Sequence, residues 1–219
     1  MNTLGHRERA AVLHGGLLLA ALAVFAFGMP GSKWPWYMLV PLISYAIVAL
    51  AIPSLRRTLP RLSLGATTGI PLAVAAALCV ATVAALVGFQ LLLQPEVATL
   101  AASLPVAAFQ SVVLAGVCFC CVNAALEELI FRGIFWEAVA SEWNDAVAVC
   151  VTAVLFGLGH FHGYPSGPLG AVLAGLFGVA LGLLRWWTGG LGLALACHIC
   201  ADATIFCLLA NSGAFDSSL

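Results

Sequence analysis

The chain has 219 residues, of which 63% are hydrophobic and only 8% charged, with a mean hydropathy of +1.10 and a formal net charge of -1. A soluble domain carries roughly 25% charged residues, so this is the composition of an integral membrane protein, and its near-zero charge offers no basic field to attract nucleic acid. At roughly 20 residues per span, the length predicts an all-α, polytopic transmembrane bundle of about seven helices forming a single domain, 1–219.

The first apolar run follows His6, Arg7, Glu8 and Arg9 and extends from Ala10 to Phe27. No small-x-small cleavage site precedes Gly28-Met29-Pro30, so it reads as an uncleaved first span. Trp34, Trp36 and Tyr37 form an interfacial aromatic belt at the start of a second span that reaches Ile52 and stops at Pro53. A polar connection with Arg56, Arg57, Pro60 and Arg61 leads to span three, 68–93. Gln94-Pro95-Glu96 then turns the chain, and span four is expected from Leu104 toward Glu137.

Span five runs from Ala146 through His160, and span six from Leu169 to Leu184 with Ala174, Gly178 and Gly182 at four-residue spacing, a pattern that lets a neighbouring helix approach closely. Gly189-Gly190 precedes span seven, 191–210. Counted over the loops, Arg7, Arg9, Arg56, Arg57, Arg61 and Arg185 fall on one side and Lys33 on the other, which predicts a cytoplasmic amino terminus. The expected location is the plasma membrane of a bacterium.

The eight cysteines all lie in apolar stretches, where a free thiol packs as a small hydrophobe. Cys118 with Cys121 and Cys197 with Cys200 have CxxC spacing, but both pairs lie on apolar helices with no second cluster at ligand spacing, so no metal site is predicted there.

Glu127-Glu128-Leu129-Ile130-Phe131-Arg132 breaks the pattern by setting two carboxylates and a guanidinium inside an apolar run. A charge at a bilayer centre costs about 2.5–3.5 kcal/mol, so the stretch needs partners, and His160, His198 and Asp202 are the candidates. Glu128 and Arg132 are four residues apart and can neutralise each other on one helix face. Glu127 points about 100° away and stays available. His198 and Asp202 are also four apart, which stacks an imidazole over a carboxylate.

Depth can be counted at about 1.5 Å per residue. Glu127, ten residues from Glu137, and His198, ten or so from Trp186-Trp187, both come out about 15 Å deep. His160, fifteen residues past Asp145, comes out near ~22 Å, a mismatch that tilt or a later helix start has to absorb. His162 and Glu137 read as interfacial, and His14 as a first-span residue without a visible partner.

Three motifs in order, Glu127-Glu128-x-x-x-Arg132, Phe156-x-x-x-His160 and His198-x-x-x-Asp202, resemble those of the type II CAAX prenyl proteases and bacteriocin-processing enzymes, the CPBP family of glutamic-type intramembrane proteases. The likeness covers residues 127–202 within a protease-like core, 104–210, while residues 1 to about 100 match only as generic membrane helices.

The resemblance implies peptide-bond hydrolysis in the membrane by glutamate- and histidine-activated water. Carried onto this chain, it makes Glu127 the general base and His160 its partner on the water. Glu128 and Arg132 shape the site, and His198 with the residue at 202 stabilises the oxyanion. The family accepts Asn or Asp at that last position; with Asp202, the expected role of the carboxylate is to orient and charge His198.

The implied substrate is a membrane-associated protein or peptide, in contact with the lipid bilayer. No cofactor is implied; zinc on His160, His198 and a carboxylate is conceivable, but no HExxH helix is present. The competing readings are a non-catalytic bacteriocin-immunity or partner-binding protein of the same fold, and a proton-coupled transporter, whose relays also use paired Glu, His and Asp. No pair of broken helices in corresponding halves supports the transporter.

Overall fold

The computed structural model describes residues 3–60, 62–95, 97, 101, 104 and 111–212, the first six of these by their backbone alone. Arg61, Glu96 and the stretch 105–110, where span four is expected to begin, lie outside the described residues. The protein is an all-helical, polytopic membrane bundle. Its helices are α1 (Thr3–Gly28), α2 (Trp36–Ala51), the short α3 (Pro53–Arg56), α4 (Ile70–Leu93), α5 (Val112–Glu142), α6 (Asp145–Gly159), α7 (Gly167–Thr188) and α8 (Gly192–Asn211). Five are long and apolar enough to cross a membrane, and α2 and α6 are shorter apolar helices of 16 and 15 residues.

Local chemistry sets several of the boundaries. The Asn144 side chain accepts a 3.0 Å hydrogen bond from Val147 N, satisfying one of the orphan donors at the start of α6. Pro168 sits in the first turn of α7, where its missing N–H costs nothing, and Gly189 ends that helix in the left-handed region at φ 69°. Within α5 the backbone widens into a π-helical segment, Leu129–Phe135, that holds the Arg132 end of the charged motif.

Helices α6 and α7 form the most intimate pair, and their small residues are the reason. A Cβ on Gly157 would lie 2.6 Å from Ala171 O, one on Gly178 3.1 Å from Ala153 Cα, and one on Gly182 3.3 Å from Val149 Cγ1. The four-residue spacing seen in the sequence is thus a packing face.

Two sets of connections define the ends of the bundle. At one end an extended stretch lies along the α7–α8 turn, with Leu191 N donating to Ser63 O (2.7 Å), Gly192 N to Leu64 O (3.0 Å) and Ala66 N to Thr188 O (2.9 Å). The first two bonds satisfy donors at the amino-terminal end of α8. At the other end the Tyr164 hydroxyl donates to Gln90 Oε1 at 2.6 Å, tying the α6–α7 loop to α4. Burial raises the Tyr164 phenol above its ordinary value, which keeps it a neutral donor.

His14 departs from expectation. It is fully buried, with Nδ1 2.9 Å from the Tyr45 hydroxyl and Nε2 3.2 Å from Thr58 Oγ1. Both partners lie on later elements, 31 and 44 residues away in sequence, which is why no local spacing announces them. The contact ties α1 to α2 and to the turn after α3.

Candidate active site

The polar residues of α5, α6 and α8 meet inside the bundle. Glu127, Glu128, Arg132, His198 and Asp202 are all buried, and the His160 side chain keeps 23% of its exposure. Helix α5 supplies both glutamates just before its π-helical segment and Arg132 within it. His160 stands at the carboxy-terminal end of α6, where the helix stops, and α8 presents His198 and Asp202 one turn apart.

Glu128 and Arg132 form the expected clasp, Nη1 to Oε1 at 2.8 Å. Arg132 also donates from Nη2 to Gly178 O on α7 (3.1 Å) and lies over the Phe156 ring at 4.6 Å. A buried guanidinium is thereby neutralised, hydrogen-bonded and stacked by three separate helices.

The orientation of His198 differs from the sequence expectation. Its Nδ1 lies 2.8 Å from Glu128 Oε1, whereas its Nε2 is 3.9 Å from Asp202 Oδ1. Glu128 therefore orients this imidazole. Two residues one turn apart on a helix can touch, but a partner on the facing helix can approach the ring nitrogen head-on, and here it does.

Asp202 is held instead by Asn123, which the sequence reading passes over. Trp34 Nε1, a donor with no acceptor capacity, binds Asn123 Oδ1 at 3.0 Å. That contact fixes which end of the amide is which, so the Nδ2 group donates to Glu127 Oε1 (3.2 Å) and to Asp202 Oδ2 (3.1 Å). One amide bridges two buried carboxylates. The available signal was the i, i+4 spacing of Asn123 and Glu127 on α5, a polar residue one turn before the motif.

The second oxygen of Glu127 is left facing two histidines. Oε2 is buried and makes no hydrogen bond among the described residues, and it lies 3.6 Å from His160 Nε2 and 3.5 Å from His198 Nε2. His160 Nδ1 donates to the Phe156 carbonyl at 2.8 Å, an atom that can only accept, so in the neutral ring Nε2 carries the lone pair. The ring packs on Phe156 with centroids 4.2 Å apart. A carboxylate oxygen and two imidazole nitrogens thus converge on one point, an arrangement suited to holding and deprotonating a small polar molecule.

Two cavities flank this point. One, about 460 Å³, includes Trp34, Tyr37, Asn123, Glu127, His160 and His162 in its wall. The other, about 300 Å³, lies between α4 and α7, with Leu78, Leu86, Leu173 and Phe177 beside His160 and His198. His162 lines the first without touching the cluster, and Glu137 pairs with Arg185 at 3.1 Å on the far side of Arg132. Among the described residues no group of His, Cys, Asp or Glu is set to hold a metal ion, and the cysteines are free thiols.

No curated protein and no solved structure matches the chain. Residues 109–204, which carry all three motifs and every side chain of the cluster except Trp34, match the family model described as type II CAAX prenyl endopeptidase Rce1-like, so this part of the chain belongs to the family its motifs resemble.

Proposed function

We propose that the protein is an intramembrane endopeptidase that hydrolyses a peptide bond in a membrane-associated protein or peptide, using water activated by Glu127 and His160. The observation that carries this reading is the convergence of Glu127 Oε2, His160 Nε2 and His198 Nε2 within 3.6 Å. The family match supports a CAAX-type protease at family level.

In the proposed reaction, Glu127 takes a proton from a water molecule that also donates to His160 Nε2. The hydroxide attacks the scissile carbonyl carbon, and the charge that develops on its oxygen is met by the Nε2–H of a protonated His198. Glu128, at 2.8 Å, and Asp202, at 3.9 Å, surround that imidazolium with negative charge. The proton held by Glu127 passes to the leaving nitrogen as the C–N bond breaks, giving a carboxylate and an amine. Positioned proton transfer contributes about 10²–10⁴-fold and a preorganised oxyanion donor about 10²–10³-fold.

The apolar cavity between α4 and α7 suits the hydrophobic side chains of a substrate lying in the bilayer. The loop arginines support an amino-terminal end of α1 on the cytoplasmic side of a bacterial plasma membrane. The test is cleavage of membrane-anchored peptides by the purified protein in lipid. Glu127→Gln and His160→Ala are expected to abolish it, and undiminished cleavage by either variant overturns the assigned roles.

A further inference from the structure

The two ends of the bundle differ in charge, and the site is reached from only one of them. The contacts of 63–66 with 188–192 and of Arg185 with Glu137 gather one set of connections at one end. The loops 29–35 and 160–166 lie at the other, where Tyr164 meets Gln90 near the end of α4.

All eight basic residues can be assigned. Arg132 is buried in the site. Arg7, Arg9, Arg56, Arg57, Arg61 and Arg185 belong to the first end, and Lys33 alone to the second. The segments 94–111 and 160–166 contain no Lys or Arg. A bias of this size in short loops sets orientation, the arginine-bearing end remaining in the cytoplasm.

The cavity that reaches Glu127 opens at the arginine-poor end. Trp34 and Tyr37 enter its wall from the α1–α2 connection and the start of α2, and His162 and Tyr164 from the α6–α7 loop. Tyr37 is 43% exposed, and His162 is also exposed. His160 owes its residual exposure to its place at the end of α6, immediately before that loop. Aromatic residues with one polar atom suit a membrane–water boundary, so this rim lies at the interface.

We infer that the active-site cavity opens to the extracytoplasmic face of the membrane. Its substrate is then a peptide or membrane-protein segment whose cleavable bond has already been carried across or inserted into the bilayer. A translocation or insertion step must supply that substrate, and the polar product is released outside the cytoplasm. The statement about the bond rests on the hydrolytic reading above; the statement about the opening does not.

The experiment reads accessibility rather than activity, which separates the two. Single cysteines are added at Ser32, Lys33 and His162 on the rim and at Arg57 and Ser63 at the opposite end. Intact bacterial cells and inside-out vesicles are then treated with a small sulfonated maleimide that does not cross membranes, with the unsubstituted protein and its eight native thiols as background. Labelling of Ser32→Cys, Lys33→Cys and His162→Cys in cells, and of Arg57→Cys and Ser63→Cys only in vesicles, is the expected result. The reverse pattern, or labelling of His162→Cys from the same side as Arg57→Cys, overturns the inference. Using two or more positions at each end keeps it testable if one variant fails to insert.

Discussion

Glu128 and His198 share a 2.8 Å hydrogen bond through the same carboxylate oxygen that accepts Arg132. One atom on α5 therefore holds the imidazole of α8 and the guanidinium that reaches Gly178 on α7. Replacing Glu128 by Gln keeps the shape but leaves a buried guanidinium without its counter-charge, which typically costs about 3–5 kcal/mol. Glu128→Gln is expected to lower the unfolding temperature in detergent and to abolish cleavage. Glu127→Gln is expected to abolish cleavage with a much smaller thermal effect, because Asn123 can still donate to the amide oxygen. Equal thermal losses in the two variants would contradict this division of labour.

Asn123 and Trp34 act as positioning residues. Trp34→Phe removes the donor that fixes the Asn123 amide, and Asn123→Ala removes the bridge between Glu127 and Asp202. Misplacing a reacting group by an ångström can cost about 10²-fold, so Asn123→Ala is expected to lower kcat by that order with little change in KM. Asn123→Asp, which adds a third carboxylate beside two others, is expected to be worse still. If Asn123→Asp cleaves as well as the unsubstituted protein, the bridge has no role in the reaction.

Asp202 tests the corrected geometry of His198. An Asn at 202 can still accept from Asn123, whereas Leu cannot. Asp202→Asn is expected to retain most activity with a changed pH profile, and Asp202→Leu to lose at least about tenfold through the unsatisfied amide it leaves behind. Full activity of Asp202→Asn with an unchanged profile would remove any need for the carboxylate.

Gly157 carries the tightest contact between α6 and α7, its missing Cβ facing Ala171 O at 2.6 Å. Gly157→Ala pushes the helices apart, an overpacking cost of about 1–3 kcal/mol, and displaces His160 three residues on. Thermal unfolding and cleavage should both suffer, whereas Gly16→Ala, with open space around it, should change neither.

Much of the site was legible in the sequence because intramembrane charge is costly and therefore conspicuous. Glu127, Glu128, Arg132, His160, His198 and Asp202 could be picked out by that criterion alone, and the structure brings all six together. The depth mismatch of His160 came from ending span four at Glu137. The helix continues to Glu142, so Glu127 lies fifteen residues from that end, just as His160 lies fifteen from Asp145. Counted from the short connection between α5 and α6, both sit at about ~22 Å.

What stayed hidden was uncharged or long-range. Asn123 and Trp34 are 89 residues apart in sequence, and neither costs enough in an apolar run to stand out. The pairing of His198 with Glu128 rather than Asp202 depends on how α5 and α8 face each other, which one-helix spacing cannot specify. His14 was isolated on α1 for the same reason.

The widened turn at Leu129–Phe135 has a consequence for anyone aligning this chain with others. A π-helical segment accommodates a residue that a regular helix would not, and each extra residue turns everything after it by about 100°. A homologue without the bulge must carry a one-residue gap between 129 and 135. Placed elsewhere, that gap would match Trp136 and Glu137, which meet Arg185, with residues facing a different neighbour. The glutamates would still align, and the register error would begin just beyond them.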